Sequence, residues 1–300
     1  MAQRWWRELP PAAGSFVMAT EIVSTGLHLT GFPVLSWIWF ALGAALWVLL
    51  AVDFLARLFR ERDRWRTEAD TPPALTAVAA TTVLGTRIAL GGFSWLAFVL
   101  LAVAVLVWPV LLTTVIRHWG TRMPGAAFLV CVATQGLAVL GATLGGWLVW
   151  PALACFGGGL LLYVVAFLHF DLGQVLEGRG DQWVATGALA ISALACAKLL
   201  VWFAWLRPVV LALLALALAG YLVLMIAEVV RPRPGYDIRR WATVFPLGMT
   251  AVACSTAGTV IGAAVLRTIG AVLLAVAVGA WLLTVIALLR DRLLPRAGRP

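Results

Sequence analysis

The sequence predicts an all-α integral membrane protein, with ten transmembrane helices arranged as a ring of five helical hairpins around a central pore. Three observations predict it. Of 300 residues, 63% are hydrophobic and 12% charged, with a mean hydropathy of +1.00, a composition far from that of soluble domains. Apolar segments long enough to cross a hydrocarbon core of about 30 Å recur along the chain. The connections between them alternate between strongly basic and nearly uncharged.

Taken in order, the segments are 13–32, 34–57, 74–91, 94–116, 125–148, 151–170, 183–206, 208–229, 241–266 and 269–289, within a single membrane domain spanning 1–300. The N-terminal MAQRWWRELPPAAG carries no cleavable-leader pattern, because the first apolar run contains Glu21. The N-terminal tail, the connections after the even-numbered segments (counting Arg57) and the C-terminal tail together carry eighteen basic residues. The connections after the odd-numbered segments carry two. Short basic loops stay cytoplasmic, so this partition predicts that both termini are cytoplasmic, and the bias to Arg, Ala and Gly fits a high-GC bacterial genome, hence a bacterial plasma membrane. The net charge of +9, from 21 Arg and one Lys, therefore orients the protein in the bilayer, and nucleic acid is not an expected partner.

The outer connections are very short and the inner ones longer, so consecutive helices pair as hairpins. Hairpin starts near 13, 74, 125, 183 and 241 are spaced by 61, 51, 58 and 58 residues. Units of similar size and one orientation indicate parallel repeats about an axis normal to the membrane. Polar content separates the two members of each hairpin. The odd segments carry Thr20, Glu21, Ser24 and Thr25; Thr81, Thr82, Thr86 and Arg87; Thr134 and Gln135; Ser192 and Lys198; and Ser255 and Thr256. The even segments are almost purely apolar, and their Asp53 and Glu228 lie near segment ends. Charge deep in a membrane must face protein or water, so the odd segments are expected to form an inner ring inside an apolar jacket.

The ninth segment, 26 residues without a charge, contains Phe245-Pro246. Proline inside a spanning helix removes a backbone hydrogen bond and bends the helix, which places a bulky ring where it can close a cavity; the alternative is ordinary packing. Arg87 and Lys198 lie about 20 Å from the cytoplasmic end of their segments. Each either attracts a permeating anion or serves structurally, by neutralising Glu21 or reaching the interface. Thr134 and Gln135 either donate hydrogen bonds to a permeant or bind a neighbouring helix. Cys131, Cys155, Cys196 and Cys254 sit in apolar runs without a CxxC pair and read as buried hydrophobes. His169 and Asp171 make a poor metal pair, His28 and His118 read as interfacial, and no catalytic motif occurs; neither an enzyme nor a metal or other cofactor is expected.

Four stretches resemble the tellurite-resistance/dicarboxylate transporter family, which also contains malate permeases, sulfite exporters and plant slow-type anion channels. They are SFVMATEIVSTGL, FLVCVATQGLAVLGA, GDQWVATGALAISALA and WATVFPLGM. The resemblance implies a five-hairpin ring, an inner pore from the odd helices, an aromatic gate at Phe245 and a homotrimer with one pore per subunit. The expected partners are the lipid bilayer and small anions: dicarboxylate, halide or nitrate, sulfite or tellurite-type oxyanions. Where the family often has a small glycine-containing stretch, this chain reads Met18-Ala19-Thr20-Glu21. A carboxylate beside an anion path repels the permeant unless it is paired or protonated, so Glu21 is a candidate proton or ion-pair site. Three readings follow: a gated anion pore, a proton-coupled organic-anion carrier using Glu21, and a membrane-embedded enzyme or sensor. Parallel rather than inverted repeats favour the first.

Overall fold

The computed structural model describes residues 10–233 and 235–293. Arg4, Arg7, Arg296 and Arg299, which enter the charge partition, and residues 1–9 of the N-terminal stretch lie outside the described residues.

The first hairpin is α1 (Gly14–Leu29) and α2 (Pro33–Arg60), followed by a short α3 (Arg62–Ala69). The second is α4 (Thr76–Leu90) with α5 (Ser94–Arg117), and the third is α6 (Leu129–Leu144) with α7 (Val149–His169). After the single turn α8 (Gln174–Glu177) come α9 (Val184–Leu200) with α10 (Arg207–Val230), then α11 (Trp241–Ile261) with α12 (Ala264–Leu293). Nine helices among the described residues, taken with their flanking 3-10 turns, are long and apolar enough to cross a membrane. α1, with 16 residues and both Glu21 and His28 inside it, is not among those nine.

Each inner helix is entered through a 3-10 turn: Pro11–Ala13, Pro72–Leu75, Gly125–Phe128, Asp181–Trp183 and Ile238–Arg240. At the opposite, short-turn end, Gly31, Gly92, Gly145 and Gly262 have φ of 86°, 89°, 71° and 79°. At Gly92 and Gly262 the chain reverses within two or three residues, and the left-handed backbone this needs excludes most side chains.

Several boundaries differ from the sequence reading. The segment 241–266 divides at Gly262, so α12 starts at Ala264 instead of 269 and Arg267 lies in its first turn. The residues across that turn are small and apolar, so hydropathy does not dip there. The segment 183–206 stops at Leu200, and Ala204–Leu206 is a 3-10 turn leading into α10. In the segment 125–148, residues Gly146–Leu148 already belong to the entry into α7. The inner connection after the second segment is not wholly loop: α3 forms there, with Arg64 binding Glu68 one turn on at 2.9 Å.

The packing order closes on itself. α1 packs on α4, α4 on α6, α6 on α9, α9 on α11, and α11 back on α1. Glycines let several of these seams close. A Cβ at Gly248 of α11 would stand 2.8 Å from Ile22 of α1, and one at Gly187 of α9 would stand 2.8 Å from Pro246 of α11. Small residues at such crossings allow the close approach on which packing inside a membrane depends. In the apolar stretches of α4, α6, α9 and α11, 78–89% of residues are buried, against 11–33% in α2, α5, α7, α10 and α12.

The jacket is fastened to this ring by repeated indole–hydroxyl bonds. Trp47 of α2 donates to Thr81 of α4 at 2.9 Å, Trp108 of α5 to Thr134 of α6 at 2.9 Å, and Trp281 of α12 to Thr20 of α1 at 3.1 Å. At the entry-turn end, ion pairs hold the helix ends to the loops. Arg57 lies 2.5 Å from both Asp53 and Glu68, and Glu228 binds Arg233 and, at 2.6 Å, Arg240.

Candidate functional site

A narrow cavity runs between the five inner helices, with room for about one water molecule. Its lining repeats from helix to helix. One layer consists of Ile22, Val83, Gly136, Ile191 and Met249. Three residues further along each helix come Thr25, Thr86, Val139, Leu194 and Val252. Four further on, near the short turns, come Leu29, Leu90, Lys198 and Thr256. Spacings of three and seven residues keep side chains on one helical face, so all five helices turn an equivalent face inward.

Lys198 is the one charged residue among those lining the cavity, and it has no ion pair or hydrogen bond among the described residues. The threonine hydroxyls beside it are partly committed. Thr25 donates to Glu21 O at 2.9 Å and Thr86 to Thr82 O at 2.8 Å, so both hydroxyl protons are committed to the backbone, while Thr256 Oγ1 is buried without a partner among the described residues.

Arg87 is not in the lining. It is buried on α4 and turned toward the first hairpin, with Nε 3.1 Å from Ser24 Oγ and Nη2 2.8 Å from Ser36 Oγ. Its guanidinium also lies 5.1 Å from the Trp37 ring centroid and 5.5 Å from that of Phe40, within the range of cation–π attraction. Glu21 is fully buried and also points away from the axis, toward α2, where a Cβ on Gly43 would collide with its Oε1. Neither carboxyl oxygen has a hydrogen-bond partner among the described residues, so the Glu21–Arg87 ion pair weighed above is not formed. Thr134 accepts from Trp108 and donates to Val130 O at 2.7 Å, and Gln135 Nε2 donates to Phe156 O of α7 at 3.1 Å. Neither residue is among those lining the cavity, and Gln135 Oε1 is buried without a partner among the described residues.

Phe245 is buried on α11, four residues before Met249 and seven before Val252, hence on the face that lines the cavity. The residues one turn before the first layer on the other helices are Met18, Ala79, Val132 and Gly187. Phe245 is the largest of this set, which includes alanine and glycine, and the cavity lining ends just short of it. Pro246 stays inside a continuous α11, packs on Gly187 and accepts from Thr250 at 2.8 Å. Sequence reasoning missed the apolar layers and the role of Ser36. The layers carried a legible signal, the shared three-then-four spacing in five segments, whereas Ser36 carried none.

The four cysteines are free, and no cluster of potential metal ligands occurs among the described residues. Five mutually packed helices that carry most of the buried polar residues, with apolar helices outside them, define a helical membrane protein. Residues 8–289 match the family model of the voltage-dependent anion channel (SLAC1), and the chain belongs to that family. No curated protein matches the chain. The family's members are channels and transporters, so this chain is a multi-pass membrane protein of anion transport.

Proposed function

We propose that the protein conducts small anions passively along the central cavity, with Lys198 attracting them at the short-turn end and Phe245 as the aromatic gate. Pro246 bends the helix that carries the gate. The observation that carries this reading is the cavity itself, whose layered apolar and threonine lining bears a single, unpaired cation. One positive group in a constricted, partly dry path lowers the cost of an anion's entry without binding it too tightly to leave. The permeants of this proposal are halide or nitrate, sulfite, tellurite-type oxyanions and dicarboxylates. The setting is the bacterial plasma membrane, with both termini cytoplasmic, and the assembly is a homotrimer, which rests on the family resemblance. The alternation of basic connections supports the orientation.

Flux in proteoliposomes of the purified protein, with one anion substituted for another, tests the reading. The expected result is anion current in the absence of a proton gradient, with a defined permeability order. Transport that requires an imposed proton gradient would overturn it in favour of a proton-coupled carrier. The buried, unpartnered carboxyl of Glu21 is the observation that favours this second reading.

A further inference from the structure

A second and larger cavity lies outside the ring. α2 and α5 both pack on α4 yet scarcely touch one another, and a groove of about 1370 Å³, counted to its mouth, is left between them. Its walls are apolar: Trp47, Leu50 and Phe54 from α2, and Val103, Val107 and Leu111 from α5. Leu55 and Val103 at the rim are exposed, so the groove opens sideways, on the face that lipid covers. From Trp47 to Arg57 it follows α2 for ten residues, about 15 Å, the hydrocarbon depth of one leaflet.

The end of the groove is polar. Asp53, Arg57, Glu68 and Trp65 line it, and α3 lies there with the Trp65 ring packed edge-on against Phe54 at 6.1 Å. The indole Nε1 of Trp65 is buried and has no acceptor among the described residues. Arg57 and Arg64 are engaged by Asp53, Glu61 and Glu68. Arg60, Arg62 and Arg66 are exposed, and none of them forms an ion pair among the described residues.

We propose that this groove holds an anionic glycerophospholipid of the inner leaflet, with one acyl chain between α2 and α5 and its headgroup over α3. An apolar slot one leaflet deep selects a chain, whereas a soluble anion gains nothing from Leu, Val and Phe walls. The unpartnered indole at the polar end donates to an ester or phosphate oxygen, and the exposed arginines supply the charge that distinguishes an anionic headgroup from a zwitterionic one. The lipid thereby bridges two hairpins that scarcely touch at this level, beside the cytoplasmic ends of α1 and α4.

Native mass spectrometry of the full-length protein, titrated with dioleoyl phosphatidylglycerol or dioleoyl phosphatidylcholine, tests the proposal. The expected result is a phosphatidylglycerol molecule per subunit retained at collision energies that strip other lipid, favoured over phosphatidylcholine by about tenfold. Arg62→Gln with Arg66→Gln removes that preference. Ala51→Trp, at a partly exposed position, and Ala104→Phe each fill the groove and remove the retained lipid. Variants are compared at wild-type elution volume and melting temperature, and Ala51→Trp suffices if Ala104→Phe does not fold. Retention unchanged in Ala51→Trp overturns the site. Equal retention of the two lipids by the wild type, or a preference that survives loss of both arginines, overturns the anionic headgroup.

Discussion

Nη2 of Arg87 on α4 lies 2.8 Å from the hydroxyl oxygen of Ser36 on α2. This bond joins an inner helix of one hairpin to the outer helix of another. Ser36 Oγ also donates to Ser24 O at 2.8 Å, and Ser24 Oγ to Ser36 O at 2.8 Å, so Arg87 completes a polar knot at the short-turn end. A cation so engaged is turned away from the axis.

Ser36→Ala is therefore expected to destabilise the protein by about 1.5–3 kcal/mol, the worth of a hydrogen bond to a charged group. Arg87→Ala lowers melting temperature further but leaves the permeability order of the folded fraction unchanged. Thermal unfolding and flux on one preparation check both outcomes; a shifted permeability order would return Arg87 to the pathway.

Lys198→Gln is expected to behave oppositely. It removes the one cation lining the cavity and keeps the side chain's bulk, so melting temperature stays near wild type. Anion-over-cation selectivity falls by about tenfold or more, in line with the loss of one unit charge in a partly dehydrated path. Reversal potentials under an asymmetric salt gradient read this directly.

Phe245→Ala is expected to raise anion conductance, since truncation removes both the steric block and the dewetted constriction. Were the ring a packing element, the same change would leave a cavity costing about 3–5 kcal/mol and no gain in current. Conductance together with melting temperature separates the two.

Glu21→Gln is expected to keep both fold and passive flux, because neither carboxyl oxygen has a partner to lose. Gly43→Ala, by contrast, drives a methyl group into Glu21 and lowers stability. If flux in Glu21→Gln becomes insensitive to an imposed proton gradient that drives the wild type, the carrier reading gains and the passive one fails.

Asp237 caps the 3-10 turn that enters α11, accepting from Arg239 N at 3.0 Å. Burial works to raise its pKa, but the hydrogen bonds and charge of Arg239, with Arg179 nearby, outweigh it and hold the carboxyl below its ordinary value. A depressed pKa means that the contribution to stability is present above the unfolded value and is lost as pH falls through the folded one. Asp237→Asn is thus expected to lower the melting temperature near neutrality, where the contribution is present, and to converge on the wild type below about pH 4, which flattens the acid limb of the profile.

Much of this was legible in the linear sequence. Helical membrane class follows from composition, because only helices and closed barrels satisfy their backbone within lipid. The inner and outer members of each hairpin were separable because Glu21, Arg87, Gln135 and Lys198 cannot face hydrocarbon. Turn positions were less legible: across Gly262 the sequence stays small and apolar, and only the backbone marks the reversal.

What the sequence by itself determined is that these polar residues face protein or water, since desolvation depends on residue type and depth, both of which a sequence carries. Which neighbour each one faces is a matter of helix rotation and of contacts between residues distant in the chain. Only the tertiary structure decided that Lys198 turns to the axis while Arg87 finds Ser36, 51 positions away. Likewise, it alone decided that Gln135 turns out to Phe156 while Gly136, the next residue, lines the cavity. A step of one residue rotates a side chain by about 100° around a helix, and the packing of five helices selects which of those directions is the centre.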